Sequence, residues 1–498
     1  MEVSDFSQPM RQSSKGIIII FGFNAFKFFK RFFVIFIAFG LSLTKKKSFA
    51  NLSPNTILLI IVGIIIILFV VAVLKYLNFK FYLNDDDFHL SRGIMNKDKT
   101  VIPKSKIQNV YIKQNLLQQI INVVSVNIET AGDDKSEIEI SALDKPTALR
   151  LKKQLFNKVD TTSSNQIEYI EQTTVFFKAS MKRLLLEGLS QNHLKSFAII
   201  MSFVFGLYYE FKDYLKDLNL QERIENSVHF DSDTLLSILI ANLIIIVIVI
   251  FISSLFSVVK TLIVNFGLEV IEHQKTIEIN KGLLNKVSLS LTPSRIQNLV
   301  ITTNRLKQYL GLHTVSVKQA MVNNKQKKSF VIVALEKIQL YHLLDKLLKQ
   351  YNHALQKNKP EPYYNRISAI EMFLFILVIN IPAYVIFGNE KWWINLILFP
   401  IAALYIYISF KKAYFTLDDH FVTIGSGVID TTTNILEIHK IQSVEIKQSI
   451  FQKRRNIASV IISTASKDVK IPYIKEELAI QIHNFLLFKV ESQQKDWM

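Results

Sequence analysis

Few residues in this sequence stand at spacings that would support chemistry. The run Asp85-Asp86-Asp87 could bind a cation, but no further oxygen ligands follow at calcium-loop spacing, and we interpret it as a solvated hairpin turn. Gly425-Ser426-Gly427 lacks the rest of a dinucleotide-binding motif, and no HExxH, P-loop or GxSxG pattern occurs. The histidines His342 and His483 fall on predicted helices, where a structural role is favoured over metal binding. These patterns predict a non-enzymatic protein without a catalytic site, a metal or a cofactor.

Three glutamines recur in a shared context. Gln108, Gln297 and Gln442 each follow an isoleucine that opens an alternating apolar pattern. An amide that recurs three times could recognise a ligand. The alternative is structural, because each glutamine would share a strand face with the apolar residues two and four positions later. We favour this alternative, which predicts that the amides face inward and bond backbone groups.

The composition indicates a membrane protein. The 498 residues are 50% hydrophobic, and the mean hydropathy is +0.25. The chain contains no cysteine, which excludes disulfides, thiolate zinc sites, iron–sulfur clusters and cysteine nucleophiles. Its net charge of +18 fits nucleic acid, an anionic membrane surface, or the positive-inside bias of a multi-pass protein. Stacking motifs are missing and the basic residues adjoin apolar segments, so we predict no nucleic-acid partner.

About six membrane-spanning helices are predicted, paired as three hairpins. The longest uncharged stretches reach the roughly 20 residues that cross a bilayer, and Pro382 predicts a kink in one of them. The predicted spans are residues 32–43, 57–74, 196–209, 235–259, 372–388 and 392–410. Asn242, Asn380 and Asn395 lie within spans and are predicted to hydrogen-bond between helices.

The first apolar segment, residues 17–43, differs from the others. Lys27, Lys30 and Arg31 lie on one face of its predicted helix. Cations cost about 2.5 to 3.5 kcal/mol each at the bilayer centre, which favours an interfacial helix that leads into a span. Whether residues 17–43 span the membrane or lie at its surface stays open. Lys45, Lys46 and Lys47 follow in place of a cleavage site, so we predict an uncleaved anchor.

A threefold repeat lies behind the hairpins. The segments Ile107–Ile112, Ile296–Ile301 and Ile441–Ile446 share an Ile-Gln start and the two-residue period of a strand. Gly93, Gly282 and Gly427 each lie 15 residues before the glutamine, and Val126, Val315 and Val460 each lie 18 residues after it. We expect these glycines and glutamines to be structural positions of one repeated unit.

Each unit is predicted to contain several strands, a short Leu/Gln-rich connection, further strands and a C-terminal helix. The terminal helices are predicted near residues 144–155, 336–356 and 475–490, and linkers at 161–165 and 357–362. The predicted divisions are an N-terminal anchor with the first hairpin (1–75), unit one (76–160), a linker with the second hairpin (161–263), unit two (264–357), a linker with the third hairpin (358–410) and unit three (411–498).

Charge around the hairpins predicts the orientation. The loop Glu210–Asp233 carries seven acidic residues, whereas Lys75, Lys260 and Lys411 follow the second arms of the hairpins. We therefore expect all three units and the N-terminus on the cytoplasmic side of a bacterial cell membrane. The Lys45–Lys47 run opposes this orientation, but the basic residues before it outnumber it.

A hairpin followed by a glycine, an Ile-Gln strand, a Gln/Leu-rich turn and a Val-rich strand resembles the bacterial PH-like, membrane-flanked domain family. The strongest matches are 106–110, 295–299 and 440–444, and three tandem copies resemble its long, triplicated members. The resemblance implies PH-like, partly open β-barrels or sandwiches, each closed by a C-terminal helix. It also implies a membrane protein partner in the form of a shorter single-copy companion, and it implies no established chemistry.

These features predict a membrane-anchored binding or scaffold protein that presents its units to protein partners and to anionic lipid head groups. From residue 264 to 366 there are 16 basic against 6 acidic residues, and we hypothesise that this unit lies against the cytoplasmic leaflet. The candidate lipid-binding residues are Lys325, Lys327, Lys328, Lys346 and Lys349. A merely solvated basic surface is the alternative for this charge. The alternative for the whole protein is a six-helix transporter or channel component.

Overall fold

The structure is a computed structural model that describes residues 6–33, 54–84, 86–130, 137–156, 174–193, 196–197, 199, 202–203, 206, 235–273, 276–319, 330–352 and 355–492. It divides into two compact units, which do not coincide with the three predicted PH-like units; the latter are called repeats below. Unit 1 is Met1–Thr173 with Glu278–Ser290, and unit 2 is Thr174–Ile277 with Leu291–Met498.

The described α-helices comprise membrane-type helices and shorter ones within the repeats. They are α1 (Gly16–Arg31), α2 (Pro54–Asn78), α3 (Leu116–Ile120), α4 (Lys145–Phe156), α5 (Met181–Leu189), α6 (Leu235–Asn265), α7 (Arg305–Tyr309), α8 (Lys337–Leu347), α9 (Tyr363–Phe387), α10 (Asn395–Lys412), α11 (Ile450–Lys453) and α12 (Glu476–Ser492).

The strands fall into three sets of six and one additional strand. They are β1 (Lys80–Asn84), β2 (Asp87–Arg92), β3 (Asp98–Pro103), β4 (Ile107–Gln114), β5 (Val124–Thr130), β6 (Glu137–Leu143), β7 (Thr174–Lys178), β8 (Glu269–Glu272), β9 (Ile277–Lys281), β10 (Lys286–Leu291), β11 (Ile296–Asn304), β12 (His313–Gln319), β13 (Val331–Leu335), β14 (Tyr414–Leu417), β15 (Phe421–Gly427), β16 (Asp430–Glu437), β17 (Ile441–Lys447), β18 (Ile457–Thr464) and β19 (Asp468–Lys475).

Four helices among the described residues are long and apolar enough to cross a membrane. Their candidate spans are Leu58–Asn78, Val247–Asn265, Tyr363–Ile381 and Trp392–Lys412. Most side chains in these spans are exposed, as expected for helices whose outer surface meets lipid. Of the six predicted spans, most of 32–43 and most of 196–209 lie outside the described residues.

The third hairpin is fastened by a reciprocal amide pair. Asn380 on α9 donates to the side-chain oxygen of Asn395 on α10 at 2.8 Å, and Asn395 donates back to Asn380 at 2.8 Å. Both amides are satisfied without water, which is needed inside a bilayer. The predicted interhelical bond between these two residues is therefore confirmed.

The first repeat is built from two three-stranded antiparallel sheets, β1-β2-β3 and β4-β5-β6. Side chains from both sheets and from α4 form one core, which includes Phe81, Val110, Ile128 and Leu151. The third repeat has the same plan, with β14-β15-β16, β17-β18-β19 and the closing helix α12 around Val444 and Ile462. The predicted Ile-Gln segments are strands β4, β11 and β17.

The closing helix of the second repeat is shorter than predicted. The pattern predicted a helix over 336–356, but α8 ends at Leu347, and Gln350 then takes a φ of 72°. The left-handed conformation at Gln350 cannot continue a right-handed helix, so the chain turns away. The Leu/Gln-rich connection of repeat one forms the single-turn helix α3, with a capping box between Asn115 and Gln118.

Each repeat also pairs with a segment that precedes its own candidate membrane helix, which the predicted divisions do not include. Met10 pairs with Phe81 and Asn358 pairs with Phe415, while strand β7 pairs with β8 through Phe177 and Val270. The three receiving residues each lie 27 positions before the repeat glutamine. Asn358 belongs to the predicted linker 357–362, so that part of the linker is a strand partner rather than a free connection.

Candidate functional site

The repeat glycines make the same turn three times. Gly93, Gly282 and Gly427 have φ values of 117°, 109° and 116°. A Cβ on any of them would lie 1.9 to 2.0 Å from the carbonyl oxygen three residues later. Only glycine fits this backbone, which forms a tight hairpin tip between the second and third strands of each repeat.

The repeat glutamines lie at a β-bulge. The register between the fourth and fifth strands shifts between Ile107 and Asn109, between Ile296 and Asn298, and between Ile441 and Ser443. A bulge interrupts the alternation of side chains, so the faces of these glutamines do not follow from the apolar pattern. Gln297 is buried, whereas Gln442 is exposed, and the predicted inward orientation is wrong for Gln442.

The predicted basic patch is brought together only in part. Lys325, Lys327 and Lys328 lie outside the described residues. Lys346 forms an ion pair with Glu272 at 2.5 Å, and its hydrogen bond lowers the pKa of that carboxyl. Lys349 is exposed at the end of the same helical region. Lys346 therefore has an acidic partner, Glu272, within the same repeat. Of the two predicted patch lysines that the structure describes, Lys349 is the exposed one.

Unit 2 contains a cavity of about 810 Å³, which we call the junction cavity because it lies where the second and third repeats meet. Its lining is mostly apolar and comes from the segment after α5, from α6, from α7, from α10 and from the hairpin tip of repeat three. The lining residues are Gln191, Asn192, His193, Phe197, Val249, Ile250, Ser253, Asn304, Arg305, Leu306, Ile408, Val428 and Ile429.

The tip of repeat three is held in place by polar contacts. Asp430 accepts hydrogen bonds from Asn192 at 3.1 Å and from Asn304 at 3.4 Å, and Asn304 also donates to the carbonyl of Ser190 at 2.7 Å. Lys412, the last residue of α10, donates to the carbonyl of Val428 at 2.5 Å. These bonds join α10, the second repeat and the third repeat at Asn192, Asn304 and Val428, which line the cavity.

A smaller polar cavity of about 250 Å³ adjoins the junction cavity and shares Gln191 and Asn192 with it. It adds the cation Lys260 and a row of small polar residues on α6, including Ser257 and Thr261. Ser257 bonds Ser196 at 2.7 Å. Polar side chains and Lys260 therefore dominate the smaller cavity, whereas the junction cavity is mostly apolar and includes Arg305.

Two polar atoms in the lining lack hydrogen-bond partners among the described residues. Ser253 is buried on α6 and its Oγ is unpaired, and the Nδ1 of His193 is unpaired while its other ring nitrogen lies 2.7 Å from the carbonyl of Leu189. An unpaired buried hydroxyl costs free energy of the order of 1–3 kcal/mol. Such groups are therefore suited to bond a ligand that enters the cavity.

A buried ion pair holds α7, one of the helices that line the junction cavity, in position. Lys307 on α7 contacts Glu187 on α5, and Lys307 also donates to Thr314 at 2.7 Å. Gly188 lets α5 approach α6, because a Cβ there would lie 2.7 Å from the Cα of Val258. Next to this pair, burial lowers the pKa of His313. Helix α7, which carries Arg305 and Leu306 into the lining, is thereby connected to α5, which packs on α6.

A third cavity, of about 670 Å³, lies within unit 1 and is more polar than the junction cavity. Its lining includes Asn24 and Lys27 of α1 and Lys75 of α2. It also includes Arg92 and Asp98, on either side of the β2-β3 turn. Helix α1 packs on the first repeat through Ile19, which is buried against Val123 and Ala142. The described part of the predicted interfacial helix is thus attached to the first repeat, and Lys27 lines a cavity.

The lining of the junction cavity combines aliphatic side chains with a cation. Helix α6 contributes Val249, Ile250 and Ser253, which span a rise of about 6 Å along the helix. A mostly apolar lining that includes Arg305, with Lys260 in the adjoining polar cavity, is chemically suited to a ligand that has an apolar part and an anionic group. The sequence analysis did not predict this site, because its residues come from five separate segments of the chain. The recurring feature next to it in the sequence is Gly427, the repeat glycine before Val428.

The comparisons with known proteins agree with the repeat structure. The sequence pattern of the bacterial PH domain family matches residues 31–159, 228–350 and 373–489. A protein of Bacillus subtilis (strain 168), described as UPF0699 transmembrane protein YdbT, is 25% identical over 445 residues, which cover 85% of this chain and 86% of that protein. These matches and the four apolar helices establish a membrane protein with an internal threefold repeat. The chain belongs to the bacterial PH domain family, of which it carries three copies.

Proposed function

We propose that this chain is a non-enzymatic membrane protein that holds an anionic phospholipid in the junction cavity and presents its three PH-like units on the cytoplasmic side of a bacterial cell membrane. The observation that carries the proposal is the lining of the cavity. Two of its walls, Ile250 on α6 and Ile408 on α10, belong to candidate membrane spans, while Arg305 belongs to the second repeat. A lipid there would contact both the anchor and the folded units.

Charge supports an anionic head group. Arg305 lines the junction cavity, Lys260 lines the adjoining polar cavity, and Lys412 donates to the carbonyl of Val428 in the lining. The carboxylate in the two linings, Asp430, already accepts hydrogen bonds from Asn192 and Asn304. Basic groups near an anionic leaflet gain about 1 kcal/mol each. The excess of basic residues between 264 and 366, including exposed Lys349, would add to the attraction of this part of the chain for the same leaflet.

Protein partners are the second part of the proposal. PH-like units fixed beside a membrane offer exposed strands and short helices, and a shorter single-copy relative is the partner that the family resemblance implies. A lipid bound between repeats two and three would stabilise the arrangement in which those surfaces are presented, because it would contact α6, α7, α10 and the hairpin tip together.

The lipid proposal can be tested by photolabelling the full-length chain in membranes. Phosphatidylglycerol with a diazirine in its acyl chain should label peptides that contain Val249–Ser253 and Val428–Ile429, and phosphatidylcholine with the same diazirine should label them several-fold less. Ile250→Trp, which fills the cavity, should abolish the preference.

Ile248→Trp is the matched control, because Ile248 lies on the same helix, is about half exposed like Ile250, and does not line the cavity. Arg305→Gln should reduce the preference for phosphatidylglycerol, whereas Arg454→Gln on the third repeat should not. Equal labelling by both lipids in the unsubstituted chain, or an equal loss in both tryptophan variants, would refute a head-group-selective site.

A further inference from the structure

Neighbouring repeats are joined by pairing of their edge strands. The fourth strand of repeat one, β4, pairs with the third strand of repeat two, β10, and the fourth strand of repeat two, β11, pairs with the third strand of repeat three, β16. The second sheet of one repeat therefore continues into the first sheet of the next.

The two junctions have the same register. Positions in each repeat can be counted from its own glutamine. At each junction, the residue nine positions before the glutamine of the later repeat lies opposite the residue four positions after the glutamine of the earlier repeat. This relation holds for Ser288 and Ile112 at the first junction and for Thr433 and Ile301 at the second. The neighbouring pairs, Val287 with Lys113 and Thr432 with Thr302, obey the same rule. The pairing is thus a property of the repeat and does not depend on one local sequence.

The strands equivalent to these junction strands at the two ends of the repeat array are β3 and β17. Among the described residues, neither has a further strand paired with its outer edge. Strand β3 is the outer strand of its sheet in repeat one, and β17 is an outer strand in repeat three. Val101 on β3 is 52% exposed, whereas Ile435, at the same repeat position within a junction, is 1% exposed. Ile446 on β17 is likewise exposed, and its counterpart Ile112 is buried.

The hairpin tips show the same difference. At the first junction the tip of repeat two approaches α3 of repeat one, and Gln119 donates to the carbonyls of Leu283 at 2.9 Å and Leu284 at 3.1 Å. Leu284 is 40% exposed and its counterpart Ile429 is 49% exposed, but Met95 at the tip of repeat one is 99% exposed. The helix that would receive this tip is α11, whose Ile450 and Phe451 are exposed, as are Leu116 and Ile120 on α3 at the internal junction.

We propose that a second copy of this chain occupies these edges, so that β17 of one copy pairs head to tail with β3 of the next. The register of the internal junctions would place Lys99 opposite Ile446, Asp98 opposite Lys447 and Val101 opposite Val444. An acid then faces a base and two valines face each other, which favours a cross-strand pair. The contact uses two different surfaces, so it builds a ring or an open chain of copies rather than a twofold dimer.

Disulfide trapping tests this contact, since the chain has no cysteine of its own. Two differently tagged full-length chains, one with Lys99→Cys and the other with Ile446→Cys, should form a mixed dimer on oxidation in a shared membrane. Residues directly opposite each other in antiparallel strands are about 4.5 to 5.5 Å apart at Cα, within disulfide range. A chain that carries both substitutions should give a ladder of multimers.

Two controls decide between specific and accidental crosslinking. Thr433→Cys with Ile301→Cys should form an internal disulfide, because these residues lie opposite each other within one chain. Glu445→Cys in place of Ile446→Cys should crosslink poorly, because successive strand residues face opposite sides. Asp98→Lys should lower the yield of mixed dimer about fivefold, and Lys447→Asp in the other chain should restore it.

The proposal is overturned if the internal pair forms its disulfide while the Lys99 and Ile446 variants do not. Equal yields with Glu445→Cys, or capture of a different protein by either single variant in place of the second copy, would overturn it as well. Loss of lipid selectivity in Ile250→Trp leaves this result unaffected, so the two proposals fail independently.

Discussion

Glu187 and Lys307 form an ion pair in which both side chains are buried, and it joins helix α5 to the short helix α7 inside the second repeat. Removal of one partner leaves the other charge buried and unpaired, which costs about 3–5 kcal/mol. We therefore expect Lys307→Met to lower the stability of unit 2 strongly, as measured by thermal unfolding of the detergent-solubilised chain.

The double variant Glu187→Leu/Lys307→Met should recover most of that loss, because neither charge remains. Arg183, on the same helix α5, forms a second ion pair with Glu336, and this pair is more exposed than Glu187 and Lys307. Arg183→Met should cost less than about 1 kcal/mol. A double variant as unstable as Lys307→Met would show that the pair is not the source of the effect.

Burial of the Ile-Gln strands predicts a second result. Val110, Leu299 and Val444 are buried in β4, β11 and β17. An aspartate at any of them would bury an unpaired carboxylate, at a cost comparable with the whole stability of a small domain. Val110→Asp, Leu299→Asp and Val444→Asp should each make one repeat sensitive to limited proteolysis. Val175→Asp on the exposed face of β7 is the control and should remain resistant.

A pH dependence follows from Lys281, whose pKa burial lowers to about 8. In the unfolded chain a lysine has a pKa of about 10.4, so between these values the unfolded state binds the additional proton. The free energy of unfolding should therefore rise as pH increases from about 8 to about 10.4, by about 3 kcal/mol. Below pH 8 the full penalty is present.

Lys281→Met should remove this rise and stabilise the chain at pH 7, which thermal unfolding at pH 7 and pH 10 can measure. Lys286→Met, at an exposed position of the next strand, is the control. The same pH profile in Lys281→Met and in the unsubstituted chain would contradict a buried, destabilising ammonium group.

The orientation of the repeats can be read by labelling introduced cysteines in intact cells. With six spans and cytoplasmic repeats, an impermeant thiol reagent should label Ser227→Cys in the acidic loop and leave Ser466→Cys, between β18 and β19, unlabelled until the cells are opened. Labelling of position 466 without position 227 would reverse the proposed sidedness.

The repeat could be predicted from the sequence because each copy needs the same unusual backbone at the same place. Gly282 is required by its hairpin tip and Val315 by the core, so their spacing from the glutamine is preserved in the chain. The face of Gln442 could not be predicted, because a bulge leaves no mark on apolar alternation. The end of α8 was missed because Leu347 and Leu348 continue an apolar pattern through a turn.

The contacts between segments distant in sequence were not predictable. Pairing of β11 with β16 uses backbone groups, which carry no residue signature. Pairing of β7 with β8 joins segments that precede and follow helix α6. The junction cavity has the same origin, since Ser253, Arg305 and Ile429 become neighbours only after the sheets have joined.

The most direct test of a lipid-holding membrane protein is native mass spectrometry of the full-length chain released from its own membrane in mild detergent. The proposed function predicts one retained anionic phospholipid per chain, lost in Ile250→Trp and kept in Ile248→Trp. A chain that carries no phospholipid, or that retains anionic and zwitterionic lipids equally in all three forms, would contradict it.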